Sequence, residues 1–83
     1  MSIRVKLLYF GQARDAAGTG EEEFTLPDRA SVNVLLSEST GAHSRIGKMK
    51  GYMQIAVNEE IAELGQVLKD GDVVAFLPPV AGG

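Results

Sequence analysis

Hydrophobic and polar positions alternate most clearly at the start of the chain. Residues 2–10, SIRVKLLYF, place Ile3, Val5, Leu7 and Tyr9 on one side and Arg4, Lys6, Leu8 and Phe10 on the other. That is the period of a β-strand. The first set forms a core face. The second begins polar and ends apolar, so Leu8 and Phe10 project where water is expected. Gly11 to Gly20 breaks the alternation; Gln12 to Ala17 is long enough for one helical turn, with Gly18 as its stop. Glu21 to Leu26 predicts a second strand, with Phe24 and Leu26 on one face and Pro27 closing it. These two strands are expected to pair as a hairpin with a long connection.

A different period follows. Val32, Leu35 and Leu36 stand at i, i+3 and i+4, which predicts a helix over residues 31–40. Asp28 or Ser31 can cap it, because a short side-chain oxygen accepts a free N–H of the first turn. Ala42 to Gly51 shows no usable period. Tyr52 to Val57 predicts a third strand with Met53, Ile55 and Val57 on one face, and Asn58, Glu59 and Glu60 supply a turn before Ile61. Gln66 to Leu68 suits a short helical turn. Asp70-Gly71-Asp72 then leads into a last strand, Val73 to Leu77.

Both faces of that last strand are apolar: Val73, Ala75 and Leu77 point one way, Val74 and Phe76 the other. Such a strand is covered twice, or it keeps one face for a partner. One good helix covers one side of a sheet, so loops or another protein must cover the other. The order strand, strand, helix, strand, short piece, strand predicts an α+β domain. A mixed sheet of four or five strands would carry one main helix across one face.

Composition narrows the chemistry. Eighty-three residues make one domain, read as a body over residues 1–77 and an extended tail over 78–83. With no cysteine there is no disulfide framework, thiolate metal site or catalytic thiol. A net charge of −3, with Glu21-Glu22-Glu23 clustered, argues against nucleic acid and for a basic protein surface as partner. Apolar runs are too short to span a membrane, and no signal-peptide pattern appears, so a cytoplasmic location is expected. His43 is the single histidine. With no carboxylate clustered near it in the sequence, it makes neither a triad nor a metal site. Arg45, Lys48 and Lys50 suit a solvated loop, with phosphate or partner contact as the alternative.

The remaining candidate is the end of the chain. Pro78 and Pro79 have no backbone N–H to continue a ladder and favour extended geometry. Val80, Ala81, Gly82 and Gly83 follow. From Pro78 to Gly83 the chain could reach about 20 Å, enough to cross a narrow channel into another protein. Gly82 and Gly83 have no β-carbon and pass where a side chain would clash. The alternative is a frayed terminus without a role.

Three segments carry a resemblance: VKLLYFGQARDAAG at Val5 to Gly18, AVN at Ala56 to Asn58, and DGDVVAFLPPVAGG at Asp70 to Gly83. Together they are similar, over nearly the whole length, to the small, sulfur-carrying subunit of molybdopterin synthase, a ubiquitin-like β-grasp family. The resemblance implies that Gly83 holds the chemistry. An activating enzyme of the ubiquitin-activating type uses ATP to join its carboxylate to AMP, and a sulfur donor protein then converts it to a thiocarboxylate. The tail enters the large synthase subunit, in an expected heterotetramer, and gives sulfur to a pterin precursor. The resemblance also implies that Phe10, Ile61 and Leu77 contact partners, and that the chain itself holds no stable cofactor or metal. It would be the non-catalytic, sulfur-carrying subunit of a sulfurtransferase complex.

Other readings keep the fold. Carriers for thiamine synthesis, tRNA thiolation or cysteine synthesis share the terminal glycines. A protein modifier would join Gly83 to lysines of other proteins. A plain interaction module would need no free terminus.

Overall fold

The computed structural model describes residues 1–78. Strand β1 (Ser2–Tyr9) leads into a short helix α1 (Gly11–Ala17), and β2 (Glu21–Pro27) returns beside β1. Helix α2 (Val32–Ala42) and a single-turn helix α3 (Ser44–Gly47) follow. Strands β3 (Gln54–Val57), β4 (Glu60–Ile61) and β5 (Val73–Leu77) complete a five-stranded sheet in the order β2-β1-β5-β3-β4. β5 lies parallel to β1 and antiparallel to β3, so the sheet is mixed. This is the α+β, β-grasp arrangement expected, with the two ends of the body paired at its centre.

The helices cover one face. Ile3, Val5, Leu7 and Tyr9 of β1 and Val74 and Phe76 of β5 are buried beneath Val32, Leu35 and Leu36 of α2. The i, i+3, i+4 stripe thus does what its spacing requires. Ser31, not Asp28, caps α2, its Oγ accepting from the Val34 N–H at 3.3 Å. Gly18, at φ 77°, ends α1 with its N–H bonded to the Arg14 carbonyl. A left-handed residue there suits glycine.

Several boundaries differ from those the sequence predicts. The stretch Ala42 to Gly51 is not a featureless loop, because α3 buries Ile46 and the turn after it buries Met49. Helix α2 extends to Ala42, and β3 begins at Gln54 rather than Tyr52. Glu60 belongs to β4, so the turn has only Asn58 and Glu59 at its centre, both at positive φ (49° and 74°). Two such residues make the mirror-image turn whose twist matches a hairpin. Gln66 to Leu68 forms no helical turn: Val67 makes an antiparallel bridge to Ser31, and the Leu68 N–H bonds the Ala30 carbonyl. Those backbone groups are satisfied by the segment before α2, a long-range pairing that outcompetes a local turn.

Candidate functional site

The face of the sheet away from the helices is the candidate site. Register places Leu8 of β1 opposite Ala75 of β5, Ala75 opposite Ala56 of β3, and Ala56 opposite Ile61 of β4. These four side chains form one apolar row across four strands, because residues paired in register point the same way. Leu77 lies two residues beyond Ala75, on the same face and nearer the chain end, and the Phe10 N–H bonds the Phe76 carbonyl beside it. Phe10 is 47% and Ile61 65% exposed, while Leu8, Ala75 and Leu77 are half-buried. Ala56, in the middle of the row, is itself buried. An apolar face this continuous, with a phenylalanine at its rim, has the character of an interface.

A groove of about 500 Å³ runs along part of the face, lined by Leu8, Phe10, Val73 and Ala75 with Asn58 and Glu59 at its edge. Asn58 is held firmly there. Its Nδ2 donates to Asp72 Oδ1 at 2.9 Å, and its Oδ1 accepts from the Val73 N–H at 3.0 Å. Asp72 Oδ2 in turn accepts from the Lys69 N–H at 2.9 Å. The β3–β4 turn is thereby tied to the start of β5, a role for the AVN segment that its sequence did not disclose. At the polar end of the face, Lys6 and Glu21 approach at 3.7 Å, too exposed a pair to add much stability.

Of the tail, Pro78 alone falls within the described residues. Its ring packs on Gly11, where a β-carbon would meet Pro78 Cγ at 3.1 Å. Gly11 also has φ 53°, so two constraints favour glycine there. Pro79, Val80, Ala81, Gly82 and Gly83 lie outside the described residues. The structure therefore brings Phe10, Leu77 and the root of the tail to one corner of the face, with Ile61 at the far end of the apolar row.

On the helix side a polar chain runs through the core and includes His43, which meets a carboxylate distant from it in the sequence. His43 Nε2 lies 2.8 Å from Glu22 Oε1; the same oxygen accepts from the Tyr9 hydroxyl at 2.9 Å, and Tyr9 lies 2.8 Å from Ser39 Oγ. A carboxylate oxygen only accepts, so Nε2 carries the proton in this contact. Because Tyr9 spends its single proton on Glu22, Ser39 donates to the phenol oxygen. Burial, supported by the adjacent Glu22 carboxylate and opposed by Ser39, raises the Tyr9 pKa above its ordinary value near 10. The tyrosine is 2% exposed and Ser39 fully buried, so the chain braces α2 against β1 and β2. One signal for it was available. Glu22 shares its strand face with Phe24 and Leu26, and a carboxylate aimed inward needs partners. Among the described residues, no group of three or more histidine, aspartate or glutamate side chains could hold a metal ion.

Fold and face together define a ubiquitin-like β-grasp protein whose open apolar surface adjoins its C-terminal strand. The chain belongs to the ThiS family, whose family model matches residues 7–83. It is 42% identical to the molybdopterin synthase sulfur carrier subunit of Mycobacterium tuberculosis, a match covering 98% of this chain and 99% of that one. A solved complex of subunits 1 and 2 of molybdopterin-converting factor from Helicobacter pylori contains a chain 29% identical, with a TM-score of 0.67 over 98% of this chain and 100% of that one. The small archaeal modifier protein 1 from Methanosarcina acetivorans superposes with a TM-score of 0.82 at 28% identity, covering 100% of this chain and 99% of that one.

Proposed function

We propose that the chain is the sulfur carrier subunit of molybdopterin synthase, with the carboxylate of Gly83 as the group that is activated, loaded and delivered. One observation carries the reading: an open apolar face runs up to Pro78 in a chain that matches a molybdopterin synthase sulfur carrier from end to end. The face docks the body, and the tail that starts at Pro78 reaches into the partner's active site. The H. pylori complex supports a large subunit as one partner.

The chemistry proposed is two successive substitutions, the first at phosphorus and the second at the Gly83 carbonyl. The Gly83 carboxylate attacks the α-phosphorus of ATP on the activating enzyme, giving an acyl-adenylate and releasing pyrophosphate. Sulfide-level sulfur from a donor protein then attacks the acyl carbon and displaces AMP, leaving a thiocarboxylate; its soft sulfur attacks the pterin precursor, and water cleaves the acyl–sulfur bond to restore the Gly83 carboxylate. A carboxylate alone is a poor electrophile, and the adenylate supplies the leaving group. Acid, base and metal groups for these steps belong to the partners. Intact mass spectrometry of the protein, co-expressed with its activating enzyme, tests this: one oxygen at the C-terminus should be exchanged for sulfur. Protein that stays unmodified while the enzyme consumes ATP on a known carrier overturns it.

The likeness to an archaeal modifier protein favours a second reading, in which Gly83 also forms isopeptide bonds to lysines. Higher-mass conjugates in cells that vanish on deletion of Gly83 would establish it.

A further inference from the structure

A second surface lies on the helix side, away from the apolar face. Between Glu38 and Glu59 the chain has no acidic residue, yet it carries Arg45, Lys48 and Lys50 in a protein of net charge −3. Helix α3 and the turns after it set this stretch against α1. Gln12 and Asp15 of α1 line one side of a groove of about 280 Å³; Arg45, Lys48 and Tyr52 line the other, and buried Met49 is its floor. Among the described residues no carboxylate, Asp15 included, comes within 4.0 Å of Arg45 or Lys48. Tyr52 is 52% exposed.

We infer that this groove docks an acidic segment of a partner protein. Charge complementarity selects the occupant, since unpaired cations gather here while Glu21 and Glu23 flank the opposite face. Neither cation is buried. A lone small anion would thus gain only a weak, strongly screened attraction, whereas an extended segment adds several such contacts and packs on the exposed ring of Tyr52. The site stands independently of the sulfur-carrier reading, because it uses neither the tail nor the apolar face.

The test is two-dimensional NMR of the ¹⁵N-labelled full chain titrated with a hexaglutamate peptide at low salt. Shifts should concentrate at Gln12, Asp15, Arg45, Lys48 and Tyr52 and fade as salt is added. Arg45→Glu with Lys48→Glu should weaken binding about tenfold or more, while Arg4→Glu on the opposite face should leave it unchanged. The same spectra report whether each variant is folded, and the milder pair Arg45→Gln with Lys48→Gln repeats the test if charge reversal perturbs the fold. Shifts spread over every basic residue, or none at all, overturn the inference. So does inorganic phosphate reproducing the pattern at equal concentration, which would make the groove a small-anion site.

Discussion

Tyr9 shows how one residue in a small core can tie elements together and record pH. Its ring stands edge-on to both Phe76 (centroids 5.8 Å apart) and His43 (5.9 Å), and its hydroxyl joins Ser39 to Glu22. Tyr9→Phe keeps the ring but leaves the fully buried Ser39 hydroxyl without its partner. The expected loss is about 1–3 kcal/mol in chemical denaturation. The raised pKa gives a second, independent signature. Above pH 10 the unfolded chain releases a phenol proton that the folded protein keeps. Stabilisation from this group is therefore full below about pH 10 and is lost progressively as pH rises beyond it. Denaturation midpoints of the parent protein should fall between pH 9.5 and 11.5 more steeply than those of Tyr9→Phe. Parallel curves would show that the phenol is not held neutral by the fold. Asn58 permits a similar dissection. Asn58→Gly tolerates the positive φ but loses two hydrogen bonds, at about 1 kcal/mol net. Asn58→Ala should lose roughly 1 kcal/mol more, because alanine must also adopt the left-handed conformation.

At the scale of elements, β5 explains why the sheet has one finished face and one open one. Val74 and Phe76 are fully buried, while Val73, Ala75 and Leu77 on the reverse are not. Alanine at the two kinds of position should therefore have opposite effects. Phe76→Ala removes a core ring and should destabilise the fold by about 3–5 kcal/mol. Phe10→Ala should leave stability nearly unchanged, Leu77→Ala at its half-buried position should cost about 1 kcal/mol, and each should weaken the complex with the large subunit by about 1–4 kcal/mol. Paired calorimetry of unfolding and binding checks both; normal binding by both exposed-face variants would remove them from the interface. This asymmetry was legible from two apolar rows on a strand with a single helix to cover them. α3 was not legible, since one helical turn shows too little of its period to separate Ile46 and Met49 from a loop. Nor was the Val67 bridge, because its partner Ser31 is distant in sequence and no local pattern encodes that pairing. The polar chain from His43 was half legible. Strand parity aimed Glu22 inward, but only the packing of α2 on the sheet could bring it to Ser39 and His43.

For the whole molecule, the question is whether body and tail do separable work. β5 ends at Leu77, and Pro78 settles on Gly11, a corner shared with the exposed Phe10. The body's stability rests on the cluster formed by β1, β5 and α2. One alanine appended after Gly83 should therefore leave the melting temperature and the affinity of the body for its partner's docking surface nearly unchanged. It should abolish thiocarboxylate formation, because the carboxylate then sits on a residue with a β-carbon and one position too far along the channel. Gly11→Ala should behave differently, since it disturbs the root rather than the end. The added carbon must push the Pro78 ring aside, so loading should slow without being lost, and stability should fall by about 1 kcal/mol from the positive φ. Single-turnover loading with saturating activating enzyme separates the two variants. If the variant with the appended alanine still loads at the parent rate, a terminal Gly83 is not what the activating enzyme requires. The open face would then serve some other complex.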